Sequence, residues 1–142
     1  MMSLVRATAL FAIIMLGACT FHQAGDDLYQ QLGEKEGISH VVDNLIVLIA
    51  EDDELKSRFV DVDIPLFRKH LIQQLCQVAN GPCEYSGGNM TDVHRGLAIT
   101  DAEFNQLVTH LRLAMSQQNI PYTAQNHLLS KLAPMHSEVT YQ

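Results

Sequence analysis

Asn89-Met90-Thr91-Asp92-Val93-His94-Arg95-Gly96-Leu97-Ala98-Ile99-Thr100-Asp101-Ala102-Glu103 carries the end of one helix and the start of the next. Asn89 can cap a helix of one to two turns through its side-chain oxygen, and Gly96 ends it, because glycine takes the left-handed backbone of a helix C-terminus without a Cβ clash. Thr100-Asp101-Ala102-Glu103 is a capping-box pattern that opens a longer helix. C-terminal to it, Phe104, Leu107, Val108, Leu111, Ala114 and Met115 recur at helical spacing until Pro121. Thr123 is expected to cap a last helix running through Leu128, Leu132 and Met135. In the other direction, after a loop from Cys83 to Gly88, Asn80-Gly81-Pro82 stops a helix carrying Ile64, Phe67, Leu71, Leu75 and Val78. Its cap is Asp63, and Pro65 is tolerated in the first turn. Before that, Asp52-Asp53 opens a short helix closing at Phe59. Ile38, Val41, Val42, Leu45, Ile46, Leu48 and Ile49 make a broad helical face. Leu45 to Ala50 would suit a strand in isolation, but the longer period favours helix. Asp26-Asp27 is expected to cap a short helix ending at Gly33. No useful stretch alternates with period two. The reading is an all-α domain of four longer helices and some short ones, which by itself need bind nothing.

Composition supports one globular domain. Apolar residues are 47% of the 142-residue chain and charged residues 18%, enough for one core and too mixed for global disorder. A net charge of -7 without a basic stripe argues against nucleic acid as a partner, and 6% aromatics without tryptophan argue against a base-stacking surface. Three cysteines without a CxxC pair are too few for a disulfide scaffold or a zinc site. Seven histidines point the search for chemistry at imidazole, the commonest metal ligand.

Arg6 is the only charge before Asp26. The apolar or small run from Ala7 to Ala18 suits a signal-peptide core and is shorter than the roughly 20 residues that span a bilayer. Leu16-Gly17-Ala18-Cys19 resembles the bacterial lipoprotein cleavage box. That resemblance implies a signal peptide over 1–18 and lipidation of Cys19, with 19–25 as a tether and 26–142 as the domain. An uncleaved anchor or a buried N-terminal helix is the alternative. Thr20 after the cysteine, by resemblance to the Gram-negative sorting rule, implies a cell-envelope lipoprotein of the outer membrane facing the periplasm, touching membrane only through its anchor.

From about Leu28 to Val139 the chain resembles a group I truncated haemoglobin of bacterial and cyanobacterial type. The resemblance rests on Leu28-Tyr29 with Leu32-Gly33, Val41-Val42-Asp43, Phe59, Gly81-Pro82 and Tyr85-Ser86-Gly87. It continues in Val93-His94-Arg95-Gly96-Leu97 with Ile99-Thr100-Asp101, then Phe104 and Ala133-Pro134. The family's paired glycines are half kept: Glu34 follows Gly33, and Asn80 precedes Gly81. The resemblance implies a two-over-two helical sandwich around haem b, with His94 as the proximal iron ligand and Phe59 packed on the haem. The residues agree independently. A histidine on a short helix among Met90, Val93, Leu97 and Ile99 sits in an expected apolar wall, where neutral imidazole can offer a lone pair to iron. Alone, such a histidine is more often a satisfied core residue.

The distal side departs from the family. Its usual tyrosine falls on Ile46, its glutamine on Leu71, and the neighbouring haem-facing position on Phe67. Three apolar side chains replace hydrogen-bond donors, and losing one such pair costs roughly 1–3 kcal/mol. Oxygen is then expected to leave about tenfold to a hundredfold faster. His70, one turn from Phe67 and Gln74, falls where some cyanobacterial relatives carry a histidine that is the sixth iron ligand; otherwise it is a surface residue. His136 falls where those relatives bond a histidine to a haem vinyl group, or is a C-terminal histidine of no special role. His22, His40, His110 and His127 read as surface or structural.

Once Cys19 is lipidated, Cys76 and Cys83 remain, either paired across a turn as a disulfide or as two separate thiols. The leading expectation is a haem protein that binds a diatomic gas (oxygen, nitric oxide or carbon monoxide) or passes single electrons to a partner outside the cytoplasm. It reads more as a ligand-binding protein than as an enzyme. The alternatives are a haem-dependent redox enzyme acting on nitric oxide, nitrite or peroxide, for which only His70 could serve as an acid–base group, and a haem-free interaction module.

Overall fold

The computed structural model describes residues 28–142. The cap expected at Asp26-Asp27, the tether, Cys19 and the leader lie outside the described residues. The elements are α1 (Leu28–Gln31), α2 (Glu34–Glu51), α3 (Asp53–Arg58), α4 (Ile64–Val78), α5 (Met90–His94), α6 (Asp101–Gln117), α7 (Tyr122–Leu132), a 3-10 turn (Ala133–Met135) and α8 (His136–Val139). The only pairing of strand type among the described residues is an isolated parallel bridge between Ile99 and Thr140.

Side chains set most of the helix starts. Asp52 ends α2 and caps α3, accepting from the N–H groups of Glu54 and Leu55 at 3.0 and 3.1 Å. Asp63 accepts from Leu66 N–H at 2.9 Å to start α4, and Asn89 accepts from Asp92 N–H at 2.8 Å to start α5. The capping box is reciprocal: Glu103 N–H donates to Thr100 Oγ1 at 3.3 Å, and Thr100 N–H donates to Glu103 Oε2 at 2.8 Å. These bonds satisfy N–H groups that a helix leaves orphaned.

The C-terminal third corrects two expectations. Pro121, not Thr123, stands at the N-cap of α7, with no side-chain cap, and Thr123 lies within the first turn. Proline's fixed φ and missing N–H already suit a helix start. The last helix also stops at Leu132 rather than reaching Met135. Pro134 lacks the donor needed to continue it, so the chain tightens into the 3-10 turn before α8.

α2 packs on α4 and α6, and α7 packs on α6 and α4, so two helix pairs cross in a two-over-two sandwich. The broad face of α2 divides. Val41, Val42, Leu45 and Ile49 are buried in the core, while Ile46 and Leu48 are only partly covered. Asp43 and Arg68 join α2 to α4 through two hydrogen bonds of 2.5 and 2.8 Å. The half-kept glycine pairs share one backbone reason: Glu34 and Asn80 hold φ of 56° and 61°, the left-handed region that glycine adopts freely. At Gly81 the constraint is space. A Cβ there would lie 2.4 Å from the Tyr29 ring and 2.7 Å from Cys76 Sγ.

Candidate functional site

His94 is the last residue of α5 and is half-buried. Its Nδ1 lies 2.8 Å from the Met90 carbonyl one turn back. A carbonyl can only accept, so Nδ1 carries the proton, and the lone pair of the neutral ring belongs to Nε2. No hydrogen bond to Nε2 is found among the described residues. The expected apolar wall is more open than the sequence suggested: Val93 and Leu97 are 46% and 48% exposed. These half-exposed apolar side chains flank His94.

Two of the expected distal residues come together with the phenylalanine expected to pack on the haem. Ile46, Phe59 and Phe67, with Ile49, Ala50 and Ile64, line an apolar cavity of about 230 Å³. The rings of Phe59 and Phe67 meet edge to face, with centroids 5.2 Å apart. Leu71 is half-buried against the core's edge. Seven positions along α4 from Phe67, Gln74 borders a second cavity of about 520 Å³, with Tyr85, Met90 and Met135. Gln74 Nε2 lies 3.2 Å from Met90 Sδ and 3.5 Å from Met135 Sδ, so it joins α4 to α5 and to the 3-10 turn. The sulfur contacts and the cavity role of Ile49 and Ile64 were not read from the sequence. The isoleucines are ordinary members of an apolar period, and the methionines meet only through tertiary packing.

The two remaining histidines have other neighbours. The His70 ring is edge-on to Tyr85, with centroids 6.0 Å apart. His136 Nε2 lies 3.0 Å from Asp101 Oδ1, and its ring packs edge to face on Phe104. Cys76 and Cys83 are joined in a disulfide with a Cα–Cα distance of 5.8 Å. The loop it closes is also held by Tyr85 N–H donating to Gln77 Oε1 at 2.8 Å.

Charged groups frame the segment after His94. Arg58 donates through Nε to Glu103 Oε1 at 2.5 Å and through Nη1 to the Leu97 carbonyl at 3.2 Å. Hydrogen bonds from the Thr100 backbone and from Arg58 hold the Glu103 carboxyl down to about 2. His110 Nε2 lies 2.7 Å from Asp52 Oδ2, tying α6 to the corner of α2 and α3. The N–H of Leu55 and the side chains of Gln106 and His110 keep the Asp52 carboxyl well below the usual carboxylate range.

This donor set fits a haem. A neutral imidazole presents Nε2 beside exposed apolar side chains, and an apolar cavity lined by two phenylalanines lies along α4. The comparisons point the same way. The chain is 34% identical over 93 residues to a group 1 truncated hemoglobin of Nostoc sp., a match that covers 66% of this chain and 79% of the relative. It is 26% identical over 112 residues to that of Mycolicibacterium paratuberculosis, covering 79% of this chain and 82% of the relative. The truncated hemoglobin of Tetrahymena pyriformis in its Fe(III) form superposes with a TM-score of 0.78 at 19% identity, covering 81% of this chain and 98% of that one. The 2/2 hemoglobin of Synechococcus, solved with covalently attached heme, superposes with a TM-score of 0.74 at 18% identity, over 80% of this chain and 97% of that one. The model of the bacterial-like globin family matches residues 27–141, so this chain, with its two-over-two fold, belongs to the bacterial-like globins, among the group 1 truncated hemoglobins.

Proposed function

We propose that the chain binds haem b through His94 Nε2, that it binds a diatomic gas or passes single electrons, and that it does so in the bacterial envelope, anchored by a lipid on Cys19. The observation that carries the haem assignment is the bond between His94 Nδ1 and the Met90 carbonyl. It selects the tautomer whose other nitrogen can coordinate iron. The haem supplies an iron coordination position for the gas and a one-electron couple. The chain's own residues set what happens beside it. Ile46, Phe67 and Leu71 exclude water and offer no donor to a polar ligand, which disfavours dioxygen relative to carbon monoxide or nitric oxide. His70 is the remaining polar candidate on that helix, and we assign it the sixth position in the absence of an external ligand. Its edge contact with Tyr85 is the competing seat. A bond from His136 to a haem vinyl group is the lesser reading, because His136 pairs with Asp101 and packs on Phe104.

The experiment is an absorption spectrum of the purified protein, oxidised, reduced and reduced with carbon monoxide. A haem b spectrum is expected, and His94→Ala is expected to abolish or greatly weaken haem retention. A wild-type protein without a Soret band removes the function. Full loading and an unchanged spectrum in His94→Ala remove the residue assignment. Acid–organic extraction reads His136, because haem that leaves the wild type completely is not attached to it.

A further inference from the structure

α5 has five residues, none of them buried. A helix this short does not hold itself, because nucleation costs more than its few hydrogen bonds return. Asn89 fixes its start. Its other end is held by the far end of the chain. Gly96 N–H and Ala98 N–H both donate to the Gln142 carbonyl, at 3.1 and 3.3 Å, and Tyr141 N–H donates to the Ile99 carbonyl at 2.9 Å. Ile99 and Thr140 make the parallel bridge. The segment Thr140–Gln142 is itself fastened. Gln142 Nε2 donates to the carbonyls of Ser137 and Thr140 at 2.7 and 3.1 Å, and Thr140 Oγ1 donates to the His136 carbonyl at 3.0 Å. His136 in turn meets Asp101 at the start of α6. Tyr141 and Ala98 hold φ of 57° and 49°, disfavoured for any residue with a Cβ. Such conformations persist where the surroundings over-determine them.

We propose that Thr140–Gln142 is a strap that positions His94, fixing where Nε2 stands relative to the haem iron by tying down the backbone that follows it. The inference rests on the haem assignment above. It makes Tyr141 a positioning residue, acting through its own N–H on Ile99 and through the Gln142 oxygen that its backbone sets against Gly96 and Ala98, and not through contact with the cofactor. Arg58, reaching the Leu97 carbonyl from α3, holds the same segment by an independent bond.

Tyr141→Pro tests this. Proline removes the N–H that Ile99 accepts and cannot take a positive φ, while His94, Met90 and all of α5 are unchanged. Tyr141→Gly is the rescue, since it keeps the N–H and accepts the left-handed backbone, at the cost of the long 3.4 Å bond that Tyr141 Oη accepts from Asp101 N–H. In the haem-free protein, amide exchange at Gly96 and Ala98 is expected to be slow in the wild type and in Tyr141→Gly, and faster in Tyr141→Pro. In the haem-loaded protein carrying His70→Leu, which leaves the reduced iron five-coordinate and high-spin, adding Tyr141→Pro is expected to shift the iron–histidine stretching band and to raise the haem dissociation rate about tenfold. Tyr141→Gly stays close to its parent protein in both. If Tyr141→Pro does not fold, Asp101→Asn, which weakens the strap's anchorage at His136 and keeps the Asp101 N–H that donates to Tyr141 Oη, is expected to move both readouts in the same direction by less. Unchanged exchange in these variants overturns the strap, and faster exchange with an unchanged stretching band and unchanged haem loss overturns its action on His94. A wild type that shows protected amides but takes up no haem removes the function, and the inference with it, a failure distinct from that of the strap.

Discussion

An imidazole can offer a metal one nitrogen at a time, and at His94 the Met90 carbonyl takes Nδ1 and leaves Nε2. The same attention to neighbours applies to His70. Its ring touches Tyr85, and the distal positions around it (Ile46, Phe67 and Leu71) carry no donor. If His70 takes the sixth position, two strong-field imidazoles give low-spin iron, and a gas must first displace one of them. Apparent affinity then falls with the fraction of open sites. His70→Leu is expected to turn the ferric and deoxy-ferrous spectra high-spin and to speed carbon monoxide binding in stopped flow. A wild type already five-coordinate and high-spin when ferrous returns His70 to its place beside Tyr85.

At the scale of elements, the segment between α4 and α5 is short of regular structure and rich in ties. Cys76 sits in the buried face of α4, and Cys83 lies past the Gly81-Pro82 turn. Beyond it, Ser86 Oγ donates to Gln73 Oε1 at 2.9 Å and Tyr85 Oη donates to the Gly88 carbonyl at 2.9 Å, leading into the Asn89 cap of α5. A disulfide closing so small a loop contributes roughly 2–3 kcal/mol by restricting the unfolded chain. Cys83→Ser is therefore expected to lower the stability of the oxidised protein by about that amount, and reductant is expected to destabilise the wild type and leave the variant unchanged. Thermal unfolding with and without reductant measures it. Two free thiols in the denatured, unreduced wild type would refute the bridge.

The whole molecule carries a net charge of -7, and among the described residues no helix is long and apolar enough to cross a membrane. Attachment to the envelope in the proposed function rests on Cys19, which lies outside the described residues. Cys19→Ala is expected to block lipidation and leave unprocessed precursor, read by the mass of the protein in membrane and soluble fractions. Unmodified full-length protein free in the cytoplasm is the outcome that defeats the anchor.

Sequence alone determined the helical class, most of the helix boundaries and the family. Those features are local: Asp52, Asp63, Asn89 and the Thr100–Glu103 pair cap within a few residues of themselves, and apolar period is written along one chain. The limit showed where two local signals competed. Thr123 is a good cap by type, yet Pro121 had already set the backbone, and Pro134 ended the helix that the apolar period carried on to Met135. Tertiary structure decided what the local signals could not reach. It gathered Ile46, Phe59 and Phe67 around one cavity, put Gln74 between two methionines, and paired His136 with Asp101. It also laid Tyr141 and Gln142 against the backbone after His94. Each of these joins residues far apart in sequence through groups, often backbone amides, whose type leaves no mark on periodicity or composition. Only the crossing of the helices brings them within reach.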